Sequence, residues 1–195
     1  AEGFDFHMEH MHEVFPELVL DLLCHGTIEQ GLDASHGGVP YVNICVDGSA
    51  LATVADSFAA LELRIEREGL ATWDSVQRGM ATDWSGDEGE HLRLMMRSIP
   101  RFGSGGSVAD EYALRIVGLF CDLVKAGPTP RGHNMTPGLF SWAGTISMGA
   151  GLGATPNGRH AGAPISHGAN PDPGFRSDGA PTAHATANAA GQAGG

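Results

Sequence analysis

Five side chains able to bind a metal or move a proton crowd the start of the chain: His7, Glu9, His10, His12 and Glu13. On a helix, His10 and Glu13 share a face at i, i+3, and His7 lies one turn before His10. Imidazole and carboxylate are donors that divalent transition metals accept. The spacing matches neither HExxH nor an established zinc pattern, so a solvated polar helix face accounts for it better. No metal is assigned, and binding by His7, His10 and His12 stays a separate alternative. Cys45-Val46-Asp47 sets a thiol two residues from a carboxylate, which could serve radical or acid–base chemistry. Cys45 falls in an apolar run, however, where a lone cysteine behaves as a small hydrophobe. Cys24-His25 has no partner that the order of residues can name, because nucleophile–base pairs are spatial. Cys121 lies on the apolar stripe of its helix and reads as core. Gly103-Ser104-Gly105-Gly106 precedes a helix as a phosphate loop does, but it lacks the lysine of GxxxxGK[ST] and follows a helix rather than a strand. There is no GxSxG elbow, dinucleotide fingerprint or kinase signature.

The densest local signal is the run from Gly153 to Pro164, centred on Thr155-Pro156-Asn157-Gly158-Arg159. Proline presets φ at the second turn position, and Asn-Gly tolerates positive φ. These five residues read as a structural turn that shapes a pocket without touching substrate.

The elements that must position these groups follow from periodicity. Apolar residues at spacings of three and four predict helix over Phe4–Gln30, interrupted at Pro16, with Gly31 as a C-terminal cap. Val39–Val46 predicts a buried strand after the Gly37-Gly38 turn. Ser49 is the expected cap of a helix carrying Leu51, Val54, Ala55, Phe58, Leu61, Leu63 and Ile65, closed by Gly69. Shorter helices are expected over Trp73–Ala81 and Glu88–Ser98. Ser107 and Asp110 imitate a capping box for a helix running to about Ala126, stopped by Gly127-Pro128. Leu139–Met148 reads as a second strand. About five helices with at least two strands point to an α/β fold, helix-rich, with a loop-rich C-terminal third.

The chain has 195 residues, 42% of them hydrophobic, which suits one domain or a piece of a larger one. Its net charge of −12 argues against nucleic acid or an anionic membrane as partner. No apolar run reaches the ~18–20 residues of a membrane span, and no secretory signal is visible. Three cysteines without CxxC spacing fit a reducing, cytoplasmic setting better than a disulfide framework. The expected organisation is a single segment over 1–183 and a small-residue tail over 184–195, whose Ala, Gly and Thr bury too little area to offset the entropy of ordering them.

Several of these runs, taken in order, resemble the C-terminal half of the glycyl radical enzymes, the group that includes pyruvate formate-lyase. Gly37-Gly38-Val39-Pro40-Tyr41 through Leu51-Ala52-Thr53-Val54-Ala55-Asp56-Ser57-Phe58-Ala59-Ala60 is similar, without a gap, to the family's GGARYNFTGVQGVGLATVADSLAA. Ile99-Pro100-Arg101-Phe102-Gly103 resembles APKYGN, and Pro137-Gly138-Leu139-Phe140 resembles RPGLY. Gly153 to Pro164 resembles GATPDGRKAGEP, and Ala180-Pro181-Thr182-Ala183 resembles GPTA. Together the matches spread over about residues 17–190. Pro40 and Val42 depart from the Arg and Asn of ARYN, and Asn157 replaces the Asp of TPDGR, which suggests a divergent branch.

The resemblance implies part of a half-barrel from a ten-stranded α/β barrel, within an enzyme performing radical lyase, dehydratase, decarboxylase or acyl-transfer chemistry on a small polar metabolite. In that family one loop carries a Cys that becomes a thiyl radical, commonly with Glu two residues later. A second loop carries a Gly in an RVxGY-like run that stores the radical after installation by a radical S-adenosylmethionine activating enzyme. Neither run occurs in this sequence, so both loops are expected outside it, with no catalytic residue and no bound cofactor in this chain. Partners implied for the complete enzyme are the substrate, the activating enzyme and a second copy as homodimer. The strand after PGL lends a side chain to the substrate pocket in relatives such as glycerol dehydratase, which makes Phe140, Ser141 and Trp142 the pocket candidates. A non-catalytic interaction or scaffold module derived from the family is the rival reading.

Overall fold

The computed structural model describes residues 2–140 and 144–173. Ser141, Trp142, the 180–183 run and the 184–195 tail lie outside the described residues. The chain divides into two compact units, Ala1–Val46 with Asp122–Pro137, and Asp47–Cys121 with Gly138–Gly195.

The first unit opens with helix α1 (Glu2–Val14). The helical stretch then breaks into short pieces, α2 (Leu18–Asp21) and α3 (Thr27–Gln30), where the sequence predicts longer helix. Pro16 disfavours helical backbone in the residue before it. Gly26, at φ 103°, turns the chain in a way only glycine does readily. Gly31 closes α3 in the left-handed region, as its position suggests. Side-chain caps hold these pieces in place. Asp5 on α1 accepts from the Thr129 hydroxyl at 2.5 Å and the Arg131 amide at 3.1 Å. Asp33 accepts from the Glu17 amide at 2.9 Å and from both the amide and hydroxyl of Ser35, and the Ser35 hydroxyl bond is the main cause that draws its pKa down to about 2. Strand β1 (Asn43–Asp47) pairs with β2 (Asn134–Gly138) in a two-stranded sheet. The strand begins later than the expected Val39, because Gly38 is tied into the Asp33 turn and Pro40 has no amide to give a ladder.

In the second unit, α4 (Leu51–Leu61) widens into a π-helical turn over Glu62–Arg67 where a continuous α-helix is expected. That turn carries Arg64, whose Nε donates to the Met95 carbonyl at 3.0 Å and whose guanidinium also reaches the Ser98 carbonyl. Arg64 thereby adds donors to the carbonyls at and just after the end of α6 (Gly86–Arg97), alongside the Ser98 amide and hydroxyl that also reach the Met95 carbonyl. Helix α5 (Trp73–Ala81) spans the expected residues, with a Thr72–Ser75 capping box. Trp84 links α5 and α6 from a left-handed backbone (φ 60°) and is fully buried; added Cβ atoms at Gly79 and Gly89 would stand 2.7 and 2.6 Å from it. Helix α7 (Val108–Lys125) begins with the capping box read from sequence: the Ser107 amide donates to Asp110 at 2.9 Å, and the Asp110 amide donates to the Ser107 hydroxyl at 3.1 Å. The core packs Ala52, Ala55, Ala59 and Ala60 of α4 with Ala109, Ala113 and Val117 of α7, Met96 and Phe102. Small residues there let helix backbones approach closely.

Among the described residues of Leu139–Met148, expected as a strand, none is in a strand. The second strand lies earlier, and Thr145–Ala150 forms helix α8, with the Met148 amide bonded to the Gly144 carbonyl. The β-branched Thr145 and Ile146 suggest strand locally, but this preference yields to tertiary context: Thr145 is buried, and Gly149 sits so tightly on the Ala163 carbonyl that an added Cβ would lie 2.3 Å from it.

Candidate functional site

Buried polar groups of the second unit converge at the start of α4. This helix needs a partner for its first amides, and the expected Ser49 does not supply one. Residue 50 is Ala at φ 65°, without a side-chain cap. The cap comes instead from 113 residues along the chain: Ser166 Oγ accepts the Thr53 amide at 3.1 Å, and the Ser166 carbonyl accepts the Ala50 amide at 3.1 Å. Thr53 Oγ1 in turn accepts the Ser166 amide at 3.1 Å and donates to Asp172 at 2.5 Å. A carboxylate at a helix N-terminus is electrostatically favourable.

One turn further, Asp56 points into the core with no exposed surface. Its carboxylate accepts from the Phe102 amide at 2.7 Å and from Arg101 Nε at 2.8 Å. Arg101 also gives Nη2 to Asp172 at 2.6 Å, so one guanidinium serves two carboxylates. Asn157 Nδ2 completes Asp172 at 3.2 Å. Burial pushes the Asp56 pKa up to about 6, with the Asp172 charge acting in the same direction and Arg101 and the Phe102 amide opposing.

The Thr155–Arg159 turn is built around this cluster. An isolated antiparallel bridge joins Thr155 to Arg159, and the Gly158 amide donates to the Thr155 carbonyl at 3.0 Å. Asn157 Oδ1 accepts from the Thr155 hydroxyl at 2.7 Å and from the Arg159 amide at 3.3 Å. Gly158, at φ 80°, has no room for a side chain: a Cβ would stand 2.9 Å from the Arg93 carbonyl. Arg159 is buried and spends its guanidinium on the carbonyls of Gly153, His160 and Ala163, while its Nε finds no partner among the described residues. Desolvation lowers its pKa. The Arg159 carbonyl accepts Trp84 Nε1 at 3.3 Å, tying the turn to the α5–α6 corner.

Other sequence candidates fare differently. Phe140 is 61% exposed, while Ser141 and Trp142 are outside the described residues. Cys45 is exposed rather than buried in its strand: period-2 alternation turns Ile44 inward and Cys45 outward. Cys121 is buried in the helical core, as its stripe suggests. The ring of His12 stacks on that of His36 at 3.6 Å between centroids, and His10 lies 3.8 Å from Glu13. Among the described residues no group of three or more His, Cys, Asp or Glu is placed to hold a metal. An apolar cavity of about 120 Å³ lies among Leu51, Val54, Ile116, Phe120 and Leu139, below the few hundred Å³ typical of a small-metabolite site. A wider groove of about 420 Å³ runs between α5 and α6, where Arg78, Ser85, Glu88 and His91 line it beside Ser75 and Thr82, whose hydroxyls donate to the Thr72 and Arg78 carbonyls.

The sequence profile described as pyruvate formate lyase-like matches residues 2–149. The chain belongs to this family. Trans-4-hydroxy-L-proline dehydratase from Clostridioides difficile is 28% identical over 156 residues, covering 80% of this chain and 20% of that enzyme. (2S)-3-Sulfopropanediol dehydratase from Klebsiella oxytoca is 26% identical over 141 residues, covering 72% and 17%. A glycyl radical enzyme from Archaeoglobus fulgidus superposes with a TM-score of 0.80 at 24% identity, covering 96% of this chain and 24% of that one. The fold of this pyruvate formate lyase-like chain is thus a helix-rich α/β part of the glycyl radical enzyme barrel. It spans about a fifth of the length of the curated relatives it matches.

Sequence reasoning missed Asp56, Arg101, Ser166 and Asp172 as a set. One signal was available: Asp56 interrupts an otherwise apolar, Ala-rich face at 52, 55, 59 and 60, and a carboxylate there needs a buried partner. Nothing in spacing names Ser166 or Asp172.

Proposed function

We propose that this chain is framework of a glycyl radical enzyme, holding the shape of the barrel rather than carrying its radical. The complete protein performs radical-based dehydratase or lyase chemistry, or the related decarboxylation or acyl transfer, on a small polar metabolite. Named relatives that are dehydratases of hydroxyproline and of sulfopropanediol support the dehydratase end of that range. The observation that carries the framework reading is how the buried polar groups are used. Asp56, Arg101, Asn157, Ser166 and Asp172 bond one another and nearby backbone, so this buried cluster is spent on holding chain segments together.

The residues present do not fit the radical centre itself. The sequence holds no RVxGY-like run and no Cys-x-Glu. The glycine of the characteristic turn, Gly158, is packed on the Arg93 backbone. No radical step is therefore routed through this chain. In the complete enzyme a radical S-adenosylmethionine protein installs the radical, and the 140–142 stretch borders the substrate. The complete enzyme is a cytoplasmic homodimer. The exposed Phe140 side chain is compatible with a pocket-facing role.

Anaerobic treatment of the 195-residue chain with an activating enzyme, read by electron paramagnetic resonance, tests the proposal. No glycine-centred doublet and no turnover are expected, whereas the complete enzyme gives both. A doublet on this chain alone would overturn it.

A further inference from the structure

The segment 165–172 crosses the start of α4 as a strap. Ile165 and Ser166 are buried, and the Ile165 amide donates to the Thr145 carbonyl. Ser166 caps α4, and Asp172, 8% exposed, is bound by Arg101, Thr53 and Asn157. Beneath it lies Asp56, sealed from water. Two buried carboxylates thus compete for one guanidinium, Nε to Asp56 and Nη2 to Asp172.

We propose that the grip of the 165–172 strap on α4 is set by a proton on Asp56, which decides whether Arg101 is shared between two anions or serves Asp172 alone.

The other charged groups around the cluster make no bond to Asp56. From the 153–163 turn, Arg159 interacts electrostatically with Asp172 while its bonds go to three carbonyls, so it eases the charge on Asp172 and leaves Asp56 to Arg101 and the Phe102 amide. From the start of α7, Asp110 is satisfied by the Gly103 amide at 2.7 Å and by Ser107. From the strap, His167 faces the Thr145 hydroxyl at 3.2 Å. With both carboxylates ionised, Asp56, Asp172 and Arg101 carry one net negative charge in a dry site, which is costly. A proton on Asp56 leaves a neutral Arg101–Asp172 pair. Lifting the strap admits water to Asp56 and returns it to ordinary carboxylate behaviour. The closed state binds the proton more tightly than the open one, so the closed state is favoured as pH falls through about 6.

Hydrogen–deuterium exchange on the full chain, corrected for intrinsic rates, reads this directly. Protection of the strap amides is expected to be about tenfold greater at pH 5 than at pH 8, while the α5–α6 amides serve as a control that does not follow it. In Asp56→Asn the difference disappears. Because that variant places a donor against Arg101 and can fail to fold, the wild-type chain is also titrated by carboxyl-carbon NMR. An Asp56 midpoint near 6 that coincides with the change in strap protection supports the strap model. Equal protection at both pH values, greater protection at pH 8, or a pH dependence that persists in Asp56→Asn would overturn it.

Discussion

Arg101 illustrates how one side chain can decide the fate of several. It bonds both Asp56 and Asp172 from a position that is only 6% exposed, and removing one partner of such a set leaves charge stranded in a low-dielectric site. Arg101→Met is expected to destabilise the chain by about 3–5 kcal/mol at pH 7.5, measured by urea unfolding. The loss shrinks at pH 5, where Asp56 is protonated; an equal loss at both pH values would contradict the charge argument. Gly158 makes a different kind of demand. At φ 80° and with the Arg93 carbonyl 2.9 Å from where a Cβ would be, it fails both on backbone strain and on space. Gly158→Ala is expected to cost about 1–3 kcal/mol in the same assay, and a neutral result would show that the turn can relax.

Among elements, α4 is the one whose start depends on distant chain. Ala50 in left-handed geometry offers no side-chain oxygen, so Ser166 does what a local Ser or Asp normally does. Ser166→Ala should cost about 0.5–2 kcal/mol, the usual value of an N-cap, and should raise amide exchange at Thr53 without disturbing α5. Exchange unchanged at Thr53 would mean that the Ala50–Ser166 backbone bond alone holds the helix start. The same dependence explains why Ser49 was a reasonable expectation and a wrong one: local caps are legible in sequence, and caps supplied from 113 residues away are not. By contrast, α5 and α7 carry their caps beside them, Thr72 with Ser75 and Ser107 with Asp110, and both begin where sequence places them. At Thr145–Met148 the expected strand gives way to helix for a related reason. Its apolar content is real, but the close approach of Gly149 to residue 163 selects a helical turn.

For the molecule as a whole, opposing titrations shape stability. Asp56 has a raised folded-state pKa of about 6, so its contribution is fully present below the usual carboxylate range and is lost as pH rises through 6. Asp33, drawn down to about 2 by its Ser35 and backbone bonds, contributes above the usual range and loses that contribution as pH falls toward 2. Asp83 and Glu90 are lowered in the same sense as Asp33. The urea midpoint is therefore expected to rise from pH 8 to pH 5 and to fall below pH 4. A midpoint that climbs steadily from pH 5 to pH 8 would remove Asp56 as the dominant buried acid. The first unit also presents Val14, Phe15, Leu18, Val19, Leu22 and Leu23 to solvent, an apolar face consistent with a chain that spans about a fifth of its relatives' length.

By itself, the order of residues determined the family, the helix-rich α/β class and most helix positions, because Gly-Pro turns, apolar periodicity and adjacent caps are local and leave a mark in spacing. It also held the Thr155–Arg159 turn, since Pro-Asn-Gly has few backbone alternatives. Only the tertiary structure decided that this turn is the lid of a buried charge cluster, with Asn157 bonded to Asp172 and Asp172 to Arg101. Those partners lie 15 and 71 residues apart. The physical reason is that a carboxylate requires some cation or amide when buried, and it does not require any particular place in the chain for that partner to come from.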